Sequence, residues 1–210
     1  MIGIDAIRTV WETQQLAERT VEHLTMFSLA MIAATAIGVA VGMAVYRHHG
    51  TAAVLFNALN VAETIPTLAL LVLLLPLLGL GTYPTVVTSV IYSILPIARN
   101  TYAGLANVSK EYLAVAEALG MTQREILVKV RVPLALPLIA GGVRIAIVFT
   151  MGVVTLGGLI AAGGLGAPIQ TGIQLYDMDV ILVTGAWVGM LGILFDAIAG
   201  YIESRLGARL

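Results

Sequence analysis

Apolar residues in this chain come in long blocks separated by short polar stretches. Leu24 to Tyr46 contains no Asp, Glu, Lys or Arg, and its length suffices to cross roughly 30 Å of hydrocarbon as a helix. Ala52 to Leu80 is longer than one straight crossing needs and holds Glu63 and Pro66. Pro66 removes a backbone bond and predicts a kink, which survives in a membrane where neighbours or a wet cavity satisfy the freed carbonyls. Further blocks run from Thr85 to Ala106, with a kink expected at Pro96, from Leu134 to Leu159 and from Val180 to Tyr201. Gly79 to Pro84 reads as a tight external turn. The pattern predicts an all-α integral membrane protein forming one domain over residues 1–210, with five spans at 24–46, 52–80, 85–106, 134–159 and 180–201.

Between the third and fourth spans lies the most charged stretch, Ser109 to Pro137. Ser109 can cap a short helix whose apolar positions Tyr112, Val115, Ala116 and Leu119 fall at i, i+3, i+4 and i+7. Gly120 supplies the left-handed residue that stops it. Thr122 and Glu125 form a capping box that opens a second helix. Lys129 and Arg131 then fall in the last turn, where the helix dipole favours cations, and Pro133 is expected to end it. The result is an amphipathic helix–glycine–helix elbow over 109–133, suited to docking onto a partner.

Composition narrows the class. Only 11% of residues are charged, against about 25% in soluble domains, and the mean hydropathy is +0.98. A soluble α/β domain with buried strands is the disfavoured alternative. The absence of cysteine excludes disulfides and thiolate metal sites. A net charge of −1 argues against a nucleic-acid face. No GxxxxGK[ST] occurs, so the chain does not bind ATP through a phosphate loop. His48 and His49 have no third ligand nearby and read as solvated turn residues. Val10, Trp11 and Leu16 suggest an amphipathic turn on the bilayer surface. A signal peptide is disfavoured by the acidic front and the long first apolar block.

Lys and Arg set the orientation. With the elbow inside, Arg47, Arg99, Lys110, Arg124, Lys129, Arg131, Arg144, Arg205 and Arg209 all lie on or toward the cytoplasm. Arg8 and Arg19 lie outside. Five spans then put the N-terminus outside, and the C-terminus and elbow inside, a bacterial or archaeal plasma membrane.

The alanine-rich turn, Gly120 and Val130-x-Val132-Pro133 resemble the EAA loop of permease subunits in binding-protein-dependent ABC importers. The usual Glu-Ala-Ala of that family falls on Ala114-Val115-Ala116. Three further stretches resemble the osmoprotectant (glycine betaine, carnitine, choline) permeases: Thr64-Ile65-Pro66-Thr67-Leu68-Ala69-Leu70, Leu95-Pro96-Ile97-x-Arg99-Asn100-Thr101-Tyr102, and Ala162-Gly163-Gly164-Leu165-Gly166. The likeness covers roughly residues 20–205. It implies a type I, methionine-permease-like fold whose elbow docks a separate ATPase through Glu111, Tyr112, Ala114, Val115, Glu117, Ala118, Gly120 and Met121. It also implies a second permease subunit, two ATPase subunits that use ATP and Mg, and an external substrate-binding protein. Hydrolysis belongs to the partner, and this chain binds no cofactor.

Candidates for the pathway or gate are Glu63, Thr64, Pro66, Thr67, Tyr92, Gly163, Gly164 and Gly166. An ionised Glu63 inside a membrane is costly unless paired or wet. It either favours a quaternary ammonium in the pathway or is paired with another polar group or protonated. Tyr92 and Tyr102 can line the path by cation–π contact, or serve packing. Arg144 and Asp196 sit at compatible depths and are expected to pair. Gly38-x-x-x-Gly42 and Gly185-x-x-x-Gly189 fit close helix approach, within the chain or between subunits. An importer for another amino-acid-like solute, a secondary transporter and a membrane scaffold are the alternatives. The secondary transporter lacks a visible coupling-ion site, and a scaffold has no need of a charged elbow.

Overall fold

A computed structural model describes residues 3–208, which leaves Arg209 outside the described residues. Those residues are helical throughout, with no strand among them. Helix α1 (Ile4–Thr13) is followed by α2 (Leu16–Val45), α3 (His49–Thr64), α4 (Thr67–Leu78) and α5 (Thr82–Ala106). The elbow comprises α6 (Lys110–Ala118) and α7 (Gln123–Ile126), and leads into α8 (Val132–Gly157). A short helix α9 (Gly166–Leu175) precedes α10 (Met178–Gly207).

Three continuous helical stretches, Leu16–Val45, Gln123–Ile160 and Met178–Gly207, are long and apolar enough to cross a membrane. The pair α3 and α4 passes the same measure only when its two halves, bent at 91°, are taken together. Helix α5 is less apolar, and its position explains why. It lies between α2 and α8, its most extensive neighbours, and buries Thr85, Thr88, Ser89, Ser93 and Thr101 completely. A helix sheathed by protein can carry hydroxyls provided that they find partners. Ser93 and Thr150 hydroxyls lie 2.8 Å apart, and Thr85, Ser89 and Thr101 donate to carbonyls one turn back, whereas the Thr88 hydroxyl has no partner among the described residues.

Glycines bring the sheath close. A Cβ on Gly38 would sit 2.7 Å from Cβ of Ile97, and one on Gly42 2.6 Å from Cβ of Thr101. The first small-residue pair therefore packs α2 on α5 within the chain. Gly185 and Gly189 face open space.

Several expectations need correction. Pro66 breaks its span rather than kinking it: α3 and α4 meet at 91°. Pro133 does not end a helix. Residues Leu127–Arg131 widen into a π-turn, with the Val132 N–H reaching the Leu127 carbonyl. The wider turn makes room for a proline that would otherwise meet the carbonyl four residues back. The helix that carries the fourth apolar block therefore continues the elbow without a gap, starting at Gln123.

The N-terminal segment forms a ten-residue helix that packs on the bundle. Val10 and Leu16 belong to the main core, and Trp11 meets Trp187 of α10 edge to face at 5.0 Å. The Trp187 indole donates 2.9 Å to the Thr20 hydroxyl. Finally, α9 lies between the fourth and fifth apolar blocks, where no helix was expected.

Candidate coupling elbow and helix-break site

The elbow's local chemistry follows its sequence. The Ser109 hydroxyl accepts from the Glu111 N–H at 3.3 Å, capping α6. Gly120 has φ of +74°, a conformation glycine adopts without strain. Thr122 and Glu125 complete a reciprocal capping box, with the Thr122 N–H donating 3.0 Å to Glu125 and the Glu125 N–H 3.3 Å to the Thr122 hydroxyl. The Thr122 N–H, followed by the Lys129 ammonium at 2.9 Å, holds the Glu125 carboxyl down at about 2.

Only part of the anticipated apolar stripe is covered. Ala116 is buried, whereas Tyr112, Val115 and Leu119 are 55%, 61% and 75% exposed. Glu111, Ala114, Glu117, Ala118 and Gly120 are exposed as well, and Met121 is half-buried. Helix α6 therefore presents an apolar strip and two small residues that nothing in this chain covers.

The base of the elbow is tied to the bundle by residues the sequence did not single out together. Arg47 donates 2.9 Å to the Gln123 side chain and 2.7 Å to the Tyr46 hydroxyl. Arg131 donates 2.6 Å to the Leu105 carbonyl, at the end of α5. Both guanidiniums lie over the Tyr46 ring, at 5.4 and 5.5 Å from its centroid. The only hint in the sequence is that Arg131 stands two residues before Pro133.

The pathway candidates fall into two groups. Glu63, Thr64, Pro66, Thr67 and Tyr92 meet at the break between α3 and α4. There the buried Tyr92 donates its hydroxyl to the Ile65 carbonyl. One Glu63 oxygen is enclosed and accepts no hydrogen bond. Beside it, Arg99 donates 2.9 Å to the Asn60 side chain.

The second group, Gly163, Gly164 and Gly166, shapes the loop before α9. Gly163 and Gly164 have φ of +80° and +60°. The Gly164 N–H donates 2.9 Å to the Glu22 carboxylate, which also pairs with Arg19 at 2.9 Å. Gly166 lies backbone to backbone against Thr155 and Gly158. Since α2 places Glu22 at one end and Arg47 at the other, this loop and the elbow occupy opposite ends of the bundle.

Arg144 pairs with Asp196 through two contacts of 2.7 and 2.9 Å, as expected, and adds Glu203 at 3.3 Å. This cluster lines a cleft of about 460 Å³ together with Asn100. His49, read from the sequence as a solvated turn residue, is exposed and also places its Nδ1 2.6 Å from the Tyr102 hydroxyl. No group of three or more His, Asp or Glu among the described residues is arranged to hold a metal ion.

The chain resembles known proteins along nearly its whole length. The solved MetNI methionine ABC transporter, in an inward-facing conformation, superposes with a TM-score of 0.79 at 24% identity, covering 91% of this chain and 96% of that one. An amino acid ABC transporter solved with histidines gives 0.74 at 19% identity, covering 97% and 99%. These likenesses establish a type I ABC importer permease fold.

Among curated proteins, the choline transport system permease protein of Bacillus subtilis is 35% identical over 91% of this chain and 88% of its own length. The carnitine transport permease protein of Listeria monocytogenes is 34% identical over 97% and 94%. The osmoprotectant import permease protein of Salmonella typhimurium is 36% identical over 86% of each. Residues 18–208 match the model of the binding-protein-dependent transport system inner membrane component. The chain belongs to this family of inner membrane components of binding-protein-dependent transport systems.

Proposed function

We propose that this chain is the membrane-spanning permease of an ATP-driven importer for quaternary ammonium osmoprotectants such as glycine betaine, carnitine or choline. The solute class rests on the similarity to permeases named for choline, carnitine and osmoprotectant transport. The observation that carries the mechanism is the elbow. An uncovered strip, Tyr112, Val115 and Leu119, sits on a helix whose base is bound to the inner ends of α2 and α5 by Arg47 and Arg131.

In this reading α2, α3 with α4, α5, α8 and α10 are five spans, with the N-terminus outside and the elbow and C-terminus in the cytoplasm. Five helices scarcely enclose a polar path alone, so a second permease subunit completes it. Two ATPase subunits take the elbows into surface grooves and consume ATP and Mg. An external binding protein delivers solute at the end formed by Gly163, Gly164 and Gly166. Closure of the ATPases pushes on α6, and the rigid base passes the displacement to α5 and thence to the break at Pro66. The hydrolytic chemistry stays in the partner.

Reconstitution tests this directly. Proteoliposomes holding the permease with its ATPase, plus the binding protein, should take up radiolabelled glycine betaine or choline only with ATP. Uptake driven by an ion gradient without ATP would instead indicate a secondary transporter.

A further inference from the structure

The break between α3 and α4 leaves two opposite charges near each other and unjoined. Glu63 lies in the last turn of α3, with one oxygen enclosed and accepting no hydrogen bond. Arg99 of α5 reaches α3 through Asn60, which stands one turn before Glu63 on the same helix. Even so, Glu63 takes part in none of the ion pairs among the described residues. The Arg99 guanidinium donates to the neutral Asn60 side chain at 2.9 Å and rests over the Phe56 ring at 6.0 Å.

Arg99 is exposed on the bundle surface, and Thr64 and Pro66 beside it are exposed too. Ionisable groups on spanning helices face a wet cavity or another subunit, because lipid contact is costly. Broken helices in transporters offer their half-helix ends to charged solutes. Here the carbonyl end of α3 reinforces the negative charge of Glu63.

We propose that Glu63, Asn60 and Arg99 form a two-point site for a small zwitterion, a reading that rests on the quaternary ammonium importer assignment above. The methylated ammonium lies against Glu63. It has no N–H to donate, so what it needs is unneutralised negative charge. The solute carboxylate displaces Asn60 from Arg99, exchanging a neutral acceptor for a charged one that suits the planar guanidinium. Arg99 thereby discriminates zwitterions such as glycine betaine and carnitine from choline, which lacks a carboxylate.

The permease–ATPase complex in nanodiscs, without the binding protein, allows the site to be read apart from the receptor. Saturation-transfer NMR on the N-methyl protons of glycine betaine and of choline gives the affinities. Both solutes should bind the wild-type complex. Arg99→Gln should weaken glycine betaine by about tenfold, as expected for one charge-assisted contact, and leave choline unchanged. Glu63→Gln should weaken both. Asn60→Asp, which sets a competing carboxylate beside Arg99 with little change of shape, should reproduce the selective loss of glycine betaine and covers a failure of Arg99→Gln to assemble. Absence of wild-type binding, equal weakening of both solutes by Arg99→Gln or Asn60→Asp, or no weakening of glycine betaine by these variants overturns the site. ATP-dependent uptake by the complete wild-type importer is measured in parallel. If uptake persists while binding fails, only the site falls; if uptake itself is absent, the importer reading falls.

Discussion

The Arg131 guanidinium donates 2.6 Å to the carbonyl of Leu105, joining the elbow's second limb to the last turn of α5. Leu105 is fully buried, and its carbonyl is among those at a helix C-terminus that lack an intrahelical partner. Arg131→Met keeps much of the side-chain length but strands that acceptor, which should lower stability by about 1–3 kcal/mol. Thermal melting of the purified complex measures this. The variant should also hydrolyse ATP with less uptake per turnover, and Arg131→Lys should fall between. An unchanged ratio of uptake to hydrolysis would show that this contact transmits nothing.

Tyr92 lies near the middle of the same helix. Its hydroxyl donates to the Ile65 carbonyl at the break, where Pro66 prevents regular helical pairing. Tyr92→Phe should cost about 1–2 kcal/mol and slow uptake while leaving assembly with the ATPase intact. Equal melting temperatures and uptake rates for the two proteins would count against a role in holding the break.

Acid should loosen the elbow at a specific point. The Glu125 carboxyl is held from 4.5 down to about 2, chiefly by the Thr122 N–H and then by Lys129. Its folded value lies below its unfolded one, so its contribution is complete above about 4.5 and disappears as pH falls toward 2. A carboxyl carbon-13 titration should place its midpoint near 2, with Glu125→Gln removing that step. A midpoint near 4.5 would mean that the capping box is open.

The loop before α9 should tolerate nothing larger than glycine at its contact. A Cβ on Gly166 would overlap the Thr155 carbonyl, and one on Gly158 the backbone of Gly166. Backbone cannot yield as a flexible side chain can, so Gly166→Ala should abolish folded, membrane-extracted protein. Gly152 of α8 meets nothing within 4 Å, and Gly152→Ala should be neutral or stabilising by about 0.5–1 kcal/mol. Monodisperse, folded Gly166→Ala protein by size exclusion would refute the backbone contact.

Local chemistry was the most legible part of the sequence. The Ser109 cap, the turn at Gly120 and the Thr122–Glu125 box each depend on residues within four positions of one another. The Arg144–Asp196 pair was legible because two lone charges in apolar helices at matching depth have few other partners. What stayed hidden depends on residues distant in sequence. Glu22 meets Gly164 across 142 positions, and Arg131 meets Leu105 across 26. Pro133 misled because its usual effect is cancelled by a π-turn that no single residue announces. Helix α9 was hidden because its glycines are fixed by close backbone packing, which overrides their low helix propensity.

Substrate-stimulated ATP hydrolysis by the reconstituted importer is the most direct test that α6 couples this chain to an ATPase. Ala118 and Ala114 are exposed and small, and a partner groove can approach them closely. Ala118→Trp should insert and fold normally, yet co-purify poorly with the ATPase and lose most of the stimulated hydrolysis. Gly120→Val should fail through the backbone alone, since no atom would crowd its Cβ but a β-branched residue resists φ of +74°. Wild-type stimulation in both variants would contradict the assignment of α6 as the coupling helix.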